Sequence, residues 1–248
     1  MADPNSSDSQ SSTTPSKPSS SSIPWNGNTF IATDTSAGRW KMLWRAITNQ
    51  LPPDELKKYW WDRDQRNSEL DCRMCEKWRD DLLKTSPVIV YMNQQIAALG
   101  GDVGKHNIRC RTCPQPSLGG FDSDFGIKIC ANYVDSKSKM EDTIAHEMVH
   151  AYDILRFRTL LDQTNLKHAA CSEIRASNLS GECRWANEFF GNKFMKFTNH
   201  HQECVRRRAV QSLIGRPDCK DDVKAVKAVN EVWDSCFADT RPFDEIYR

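Results

Sequence analysis

The chain has 248 residues, of which 38% are apolar and 27% are charged, so it is long enough for one sizeable domain or two small ones. Its net charge of +1 excludes a chain-wide electrostatic attraction to nucleic acid or to an anionic membrane. No apolar run approaches the roughly 20 residues that a membrane-spanning helix needs, so we expect any membrane association to be peripheral.

The first segment, residues 1–24, is dominated by serine, with proline, threonine and asparagine. This composition cannot bury enough apolar surface to offset the entropy of ordering, and we predict a disordered tail. The segment lacks the apolar stretch of a secretory signal, and Lys17 is its only basic residue, unlike an arginine-rich transit peptide. We therefore expect any organelle import to use another route.

A tryptophan-rich extension is predicted over residues 25–66. One face of a predicted helix in this extension carries four apolar residues with three basic residues among them: Trp40, Leu43, Trp44 and Ile47, with Arg39, Lys41 and Arg45. A basic amphipathic helix with tryptophan is typical of a membrane-interface or partner-binding segment. The alternative, and the commoner outcome for such a face, is docking onto the main domain.

Two helices and a strand are predicted next. The helices cover residues 68–84 and 88–99, and the Gly100-Gly101 pair ends the second of them. After a stretch rich in turn residues, apolar and other residues alternate over 125–130, as expected for a half-buried strand.

The pattern H-E-x-x-H occurs at residues 146–150. Residues four apart share a helix face, so His146 and His150 can bind one metal ion with Glu147 beside them. A capping box is predicted to start this helix at Ser138–Glu141. An apolar stripe faces away from the histidines and consists of Ile144, Met148, Ala151 and Leu155.

These residue types predict the chemistry of a zinc hydrolase. A catalytic zinc keeps three protein ligands and an open position for water, whose pKa it lowers to about 7. Glu147 is then the predicted general base, which takes a proton from the water that attacks a peptide carbonyl and passes it to the leaving amine. The alternative is a chance match of a short pattern in an ordinary helix.

A third ligand must come from elsewhere, and Asp153, His168 and Glu173 are all chemically acceptable. We favour Glu173, because residues 169–176 are predicted to form a second helix that resembles the glutamate-ligand helix of thermolysin-like zincins. For Asp153 we predict a supporting role, in which it accepts a hydrogen bond from a ligand imidazole. The alternative for Glu173 is an ordinary carboxylate on a helix surface.

Residues 67–248 are therefore predicted to form a zincin-like domain of the α+β class, mostly helical with a small sheet. In zincin folds the strand before the H-E-x-x-H helix commonly pairs with extended substrate, although it can also serve only the core. Three C-terminal helices are predicted over 185–197, 200–213 and 221–237. Within them, His200, His201 and the run Arg206–Arg208 are expected on the surface.

The ten cysteines permit two interpretations. Two C-x-x-C pairs could form a structural zinc site in a reducing compartment: Cys72, Cys75, Cys110 and Cys113. Alternatively, all ten could form disulfides in an oxidising space, which without a secretory signal would be the mitochondrial intermembrane space. The sequence does not give the pairing.

Four ordered motifs resemble those of the mitochondrial inner membrane metalloproteases that process ATP synthase subunit 6. They lie at residues 119–122, 146–153, 168–183 and 200–206, and the resemblance extends from about Cys72 to Phe243. It places metal ligands at His146 and His150 and the catalytic glutamate at Glu147. It also implies five disulfides in a disulfide-rich domain.

The same resemblance implies a location and partners. It implies a zinc metalloendopeptidase attached peripherally to the inner membrane on its intermembrane-space side, imported by the oxidative folding machinery. The implied activities are removal of N-terminal residues from the ATP synthase subunit 6 precursor and help in assembling the membrane-embedded sector. No nucleic-acid partner is expected.

Two other functions compete with this interpretation. One is a nuclear or cytosolic metalloprotease with a four-cysteine zinc ribbon. The other is an assembly chaperone whose protease activity is dispensable.

Overall fold

The computed structural model describes residues 36–158, 162, 164–184, 200–217, 219 and 221–244. By contacts between Cα atoms the chain divides into two compact units, 1–60 and 61–248. The predicted tail over 1–24 and the predicted helix over 185–197 lie outside the described residues. No helix in the described parts of the chain is long and apolar enough to span a bilayer.

The first unit contains helix α1 (Ser36–Ile47) and the start of helix α2 (Pro53–Thr85), within which the division between the units falls. Helix α2 is longer than the predicted helix over 68–84, because the tryptophan-rich residues before Ser68 are helical as well. In α1, Trp40, Trp44 and Ile47 are each more than 60% exposed. Docking of this face onto the main domain stays a prediction.

The second unit continues with helix α3 (Pro87–Ala98). Ser86 caps its N-terminus, because the Ser86 hydroxyl oxygen accepts a hydrogen bond from the backbone N–H of Ile89. A three-stranded sheet follows, with strands β1 (Ile108–Arg111), β2 (Gly119–Asp122) and β3 (Gly126–Cys130). Only the last of these was predicted.

The strand order in the sheet is β1-β3-β2, with β1 parallel and β2 antiparallel to β3. Ile127 and Ile129 of β3 are fully buried, in agreement with the predicted alternation, whereas Phe125 lies before the strand and is 65% exposed. Both edges of β3 are paired, so the expectation that this strand pairs with substrate is wrong. Within the described residues the unpaired edge that faces α4 belongs to β2.

Helix α4 (Lys137–Phe157) carries the H-E-x-x-H pattern. The predicted capping box is wrong by two residues, because Ser136 rather than Ser138 is the N-cap and accepts a hydrogen bond from the backbone N–H of Lys139. The predicted apolar stripe is confirmed, since Ile144, Met148 and Ala151 are buried in the core.

Three further helices are α5 (Leu166–Leu179), α6 (His200–Ile214) and α7 (Asp222–Ala238). They enclose a second buried cluster that includes Ile174, Val205, Leu213, Val229 and Trp233. The first cluster lies between α2, α3, the sheet and α4. The fold is thus mostly helical with a small sheet, as predicted, and α4 and α5 lie where the two clusters meet.

Four disulfides join eight of the ten cysteines: Cys75–Cys110, Cys113–Cys130, Cys171–Cys236 and Cys183–Cys204. The four-cysteine zinc site is therefore wrong, because three of its sulfurs are already in covalent bonds. The five disulfides implied by the resemblance are corrected to four. Cys72 and Cys219 are free thiols that pack in different buried clusters.

Candidate active site

Helices α4 and α5 bring three metal-ligating groups together. The Nε2 atoms of His146 and His150 are 3.1 Å apart. Glu173 on α5 places one carboxylate oxygen 3.6 Å from the first of these nitrogens and the other oxygen 3.7 Å from the second. These three residues form the group that could hold a metal ion among the described residues.

The spacing of these donors fits a tetrahedral zinc site. Ligands about 2.1 Å from a zinc ion in a tetrahedron are about 3.4 Å apart, close to the three distances seen here. Oε2 of Glu173 is buried and accepts no hydrogen bond from any described residue. A buried carboxylate oxygen without a donor is costly, and a bound cation would remove that cost.

The other ring nitrogens are held from outside the centre. Nδ1 of His150 lies 2.8 Å from the hydroxyl oxygen of Ser172, and Nδ1 of His146 lies 3.3 Å from Oε1 of Glu182. A proton on each Nδ1 leaves both Nε2 lone pairs facing each other, as metal coordination requires. Arg208 of α6 in turn donates to Oε2 of Glu182 at 3.0 Å through its Nε.

The electrostatics of the centre favour a cation. Burial lowers the pKa of His146, but Glu173 and Glu182 outweigh burial and raise this pKa well above its ordinary value. Burial likewise opposes ionisation of Glu173, yet the imidazoles of His150 and His146 hold the pKa of this carboxyl at about 2. Negative charge is therefore retained at the place where the Nε2 atoms converge.

Glu147 lies beside this centre and is only 8% exposed. Burial raises the pKa of its carboxyl to about 7, while the neighbouring His146 opposes the shift. The backbone N–H of Phe121 in β2 donates to the carboxylate. A carboxyl whose pKa lies near neutrality can both accept and release a proton, as a general base that later acts as an acid must do.

The two alternative third ligands are used elsewhere. Asp153 does not contact a ligand imidazole, so its predicted supporting role is wrong. Its carboxylate instead accepts hydrogen bonds from Arg175, at 2.9 Å from Nε and 2.8 Å from Nη2. His168 lines the cavity at the centre, but its Nδ1 accepts a hydrogen bond from the backbone N–H of Asp162.

The C-terminal side chains expected on the surface are partly buried and contact other groups. His201 hydrogen-bonds to the side chain of Asn178 and to the carbonyl of Cys183. The guanidinium of Arg206 stacks 3.7 Å above the ring of Trp233. The surface prediction is thus wrong for these two residues. The side chain of Arg208 is 40% exposed, as predicted, although its guanidinium contacts Glu182. The side chain of His200 lies outside the described ones.

The sequence analysis missed Ser172, Glu182 and Arg208. Glu182 follows Gly181, whose φ of 96° lies in the left-handed region that favours glycine and turns the chain back after α5. The Gly-Glu pair just beyond a helix end was the only local signal. No pattern in the sequence relates Glu182 to Arg208, because 26 residues separate them.

Two cavities of about 300 and 380 Å³ adjoin the centre. Both are lined by His146, Glu147 and Glu173, together with Gly119 of β2 and Ser212 of α6. Gly119 allows β2 to approach α4 closely, since a Cβ there would lie 3.0 Å from Thr143. The donor set therefore has space on two sides along β2.

We predict that Glu182→Gln weakens zinc binding by about 10- to 100-fold, the range typical of residues that orient a ligand imidazole. The neutral amide is a weaker acceptor for the Nδ1–H of His146 than the carboxylate and no longer balances the positive charge of Arg208. Competition with a chromogenic chelator on purified protein measures the affinity. Glu203→Gln, an exposed glutamate on α6, is the matched control. Unchanged affinity in Glu182→Gln would show that Glu182 does not support the centre.

Two histidines and a glutamate on adjacent helices, with a buried glutamate beside them and space along a strand edge, are typical of metallopeptidases. Residues 73–244 match the model of the Peptidase M76 family. The chain belongs to the Peptidase M76 family.

Curated relatives agree with this assignment. A protein of Coccidioides immitis described as mitochondrial inner membrane protease ATP23 is 53% identical over 93% of this chain and 97% of its own length. Proteins with the same description from Aspergillus fumigatus and Emericella nidulans are 51% and 54% identical, over 98% and 88% of this chain and 100% and 91% of their own lengths. No solved structure matches.

Proposed function

We propose that this peptidase is a zinc metalloendopeptidase in which His146, His150 and Glu173 hold the metal and Glu147 is the general base. The observation that carries the proposal is the convergence of two imidazole nitrogens and a buried carboxylate within 3.7 Å. Zinc fits a site with these nitrogen and oxygen donors.

The reaction divides between the metal and the protein. A zinc ion bound there would supply a Lewis acid that makes water acidic near neutral pH. Glu147 accepts the proton of the attacking water and returns it to the leaving amine. Ser172 holds the imidazole of His150 by a hydrogen bond, and the Glu182 carboxylate lies 3.3 Å from Nδ1 of His146, so both favour the tautomer that presents Nε2 to the centre.

The edge of β2 is the proposed binding site for an extended peptide. The carbonyl of Leu118 accepts a hydrogen bond from the backbone N–H of Cys130 in β3. The backbone N–H and C=O groups of every second residue from Leu118 therefore point towards β3. The backbone N–H and C=O groups of Gly119 and Phe121 consequently point away from β3, and both residues line the cavity at the centre. An added strand there would lie next to Glu147. Space on both sides of the donor set suits cleavage within a chain.

We further propose that the protein acts at the mitochondrial inner membrane on its intermembrane-space side. The descriptions of the relatives as mitochondrial inner membrane proteases support the location at the inner membrane, and four disulfides support an oxidising compartment. The proposed substrate is the ATP synthase subunit 6 precursor. A second proposed role is to assist assembly of the membrane-embedded sector, and both rest on the resemblance of the sequence motifs.

Metal and thiol content test the proposal. We expect protein purified without reductant to hold one zinc per chain and, after denaturation, to expose the two thiols of Cys72 and Cys219. In Glu173→Gln, zinc affinity should fall more than about 100-fold, beyond the effect of a residue that only orients a ligand. Glu203→Gln should bind zinc normally. Retention of zinc by Glu173→Gln would overturn the assignment of this ligand.

A further inference from the structure

We propose that helix α1 binds the surface of an anionic lipid bilayer through Trp40, Trp44 and Ile47, here called the α1 face. The inference adds a membrane-binding element to the proposed function and rests on the proposed location at the inner membrane. It does not involve the residues of the candidate active site.

The geometry of α1 separates the α1 face from the packed side of the helix. Trp40, Trp44 and Ile47 follow the i, i+4, i+7 spacing of one helix face and are 69%, 64% and 63% exposed. The opposite side carries Ala46, which is 4% exposed, and the half-buried Met42. The helix thus buries small and flexible apolar groups and exposes its large aromatic ones.

The charge of this segment complements an anionic surface. Arg39, Lys41 and Arg45 belong to α1, and no acidic residue occurs between Ser36 and Pro53. The chain has a net charge of +1, so +3 on α1 leaves −2 for the rest. The positive charge is therefore concentrated next to the α1 face, and each basic residue near an anionic bilayer contributes about 1 kcal/mol.

The side chains of the α1 face favour lipid over a protein groove. Tryptophan combines a large apolar ring with an N–H donor and is enriched at the boundary between headgroups and acyl chains. Next to Trp40 lies the exposed basic residue Lys41, which can reach the headgroups while the ring inserts between them. An apolar protein groove would leave this charge without a solvated or anionic partner.

Flotation of the full-length protein with lipid vesicles tests the proposal. We expect binding to phosphatidylcholine vesicles that contain phosphatidylglycerol as the minor component, and much weaker binding to phosphatidylcholine alone. The double variant Trp40→Ala, Trp44→Ala should partition at least about tenfold more weakly, because two large apolar side chains no longer leave water. Lys41→Gln should lose about fivefold on anionic vesicles and nothing on neutral ones.

Trp61→Ala is the matched control, since Trp61 is 66% exposed but lies outside α1, next to Asp62. It should bind vesicles normally, and all of these variants should cleave a soluble peptide at the wild-type rate. Equal loss in Trp61→Ala, or undiminished binding of the double variant, would overturn the proposal. Binding that needs a membrane protein added to the vesicles would also overturn it, in favour of a protein partner.

Release from inner-membrane fractions gives a second readout. The double variant should leave these fractions while the wild type stays. A wild-type protein found in another compartment would contradict the proposed location, whereas vesicle binding by α1 would still be measured independently. The two proposals can therefore fail separately.

Discussion

Replacing Glu147 by glutamine is expected to reduce peptide hydrolysis by about 10³-fold or more, within or above the range for loss of a general base. Glutamine has nearly the same shape and can still lie near the backbone of Phe121, but it cannot accept a proton. The measurement is the cleavage rate of a peptide that contains the N-terminal segment of the proposed substrate, with zinc content determined on the same sample.

The zinc content of Glu147→Gln should remain that of the wild type, because Glu147 is not among the three converging donors. Loss of both zinc and activity would mean that Glu147 has a structural or ligand role. Assembly of the ATP synthase membrane sector is the second readout. Retained assembly without cleavage would support a separate assembly role, and normal cleavage by the variant would contradict the proposed mechanism.

Replacing Asp153 by asparagine is expected to lower the free energy of unfolding by about 3 kcal/mol. Asp153 on α4 and Arg175 on α5 are each 1% exposed and form a buried ion pair with three hydrogen bonds. The variant leaves a buried guanidinium without its closest counter-charge. We expect the lower end of the range for such pairs, because Asp239 still lies 3.0 Å from Nη1 of Arg175.

Urea unfolding of the zinc-free protein measures this effect as a shift of the midpoint at constant slope. Asp234→Asn, an exposed aspartate on α7, is the control and should change stability by less than about 0.5 kcal/mol. An equal change in both variants would show that the ion pair contributes nothing specific.

The ion pair also explains how the two ligand-bearing helices are aligned. Asp153 lies three residues after His150, and Arg175 lies two residues after Glu173. Arg175 further donates to the carbonyls of Asp239 and Arg241, which fixes the chain beyond α7 against α5. A buried bidentate pair is directional, so it favours one register of α4 relative to α5. We infer that this register sets the distance between the imidazoles and the Glu173 carboxylate.

The sequence predicted the elements whose signals are local. The i, i+4 spacing of His146 and His150 and the apolar stripe of α4 follow from helix periodicity alone, and the structure contains both. The alternation in β3 likewise predicted a half-buried strand. Strand β1 was missed although its burial alternates, because four residues that include two arginines and a cysteine give only a weak strand signal. Strand β2 was missed because its Gly-Gly-Phe-Asp sequence shows no regular alternation.

What the sequence by itself determined is the pair of histidines with its neighbouring glutamate, the amphipathic helices and the resemblance to one peptidase family, since all of these depend on short-range spacing and residue identity. The tertiary structure decided the cysteine pairing, the use of Asp153 in an ion pair and the contacts of Glu182 with His146 and Arg208. It also decided that β2 rather than β3 has the unpaired edge. These features depend on which distant segments meet when two buried clusters pack together, and no local pattern encodes that packing.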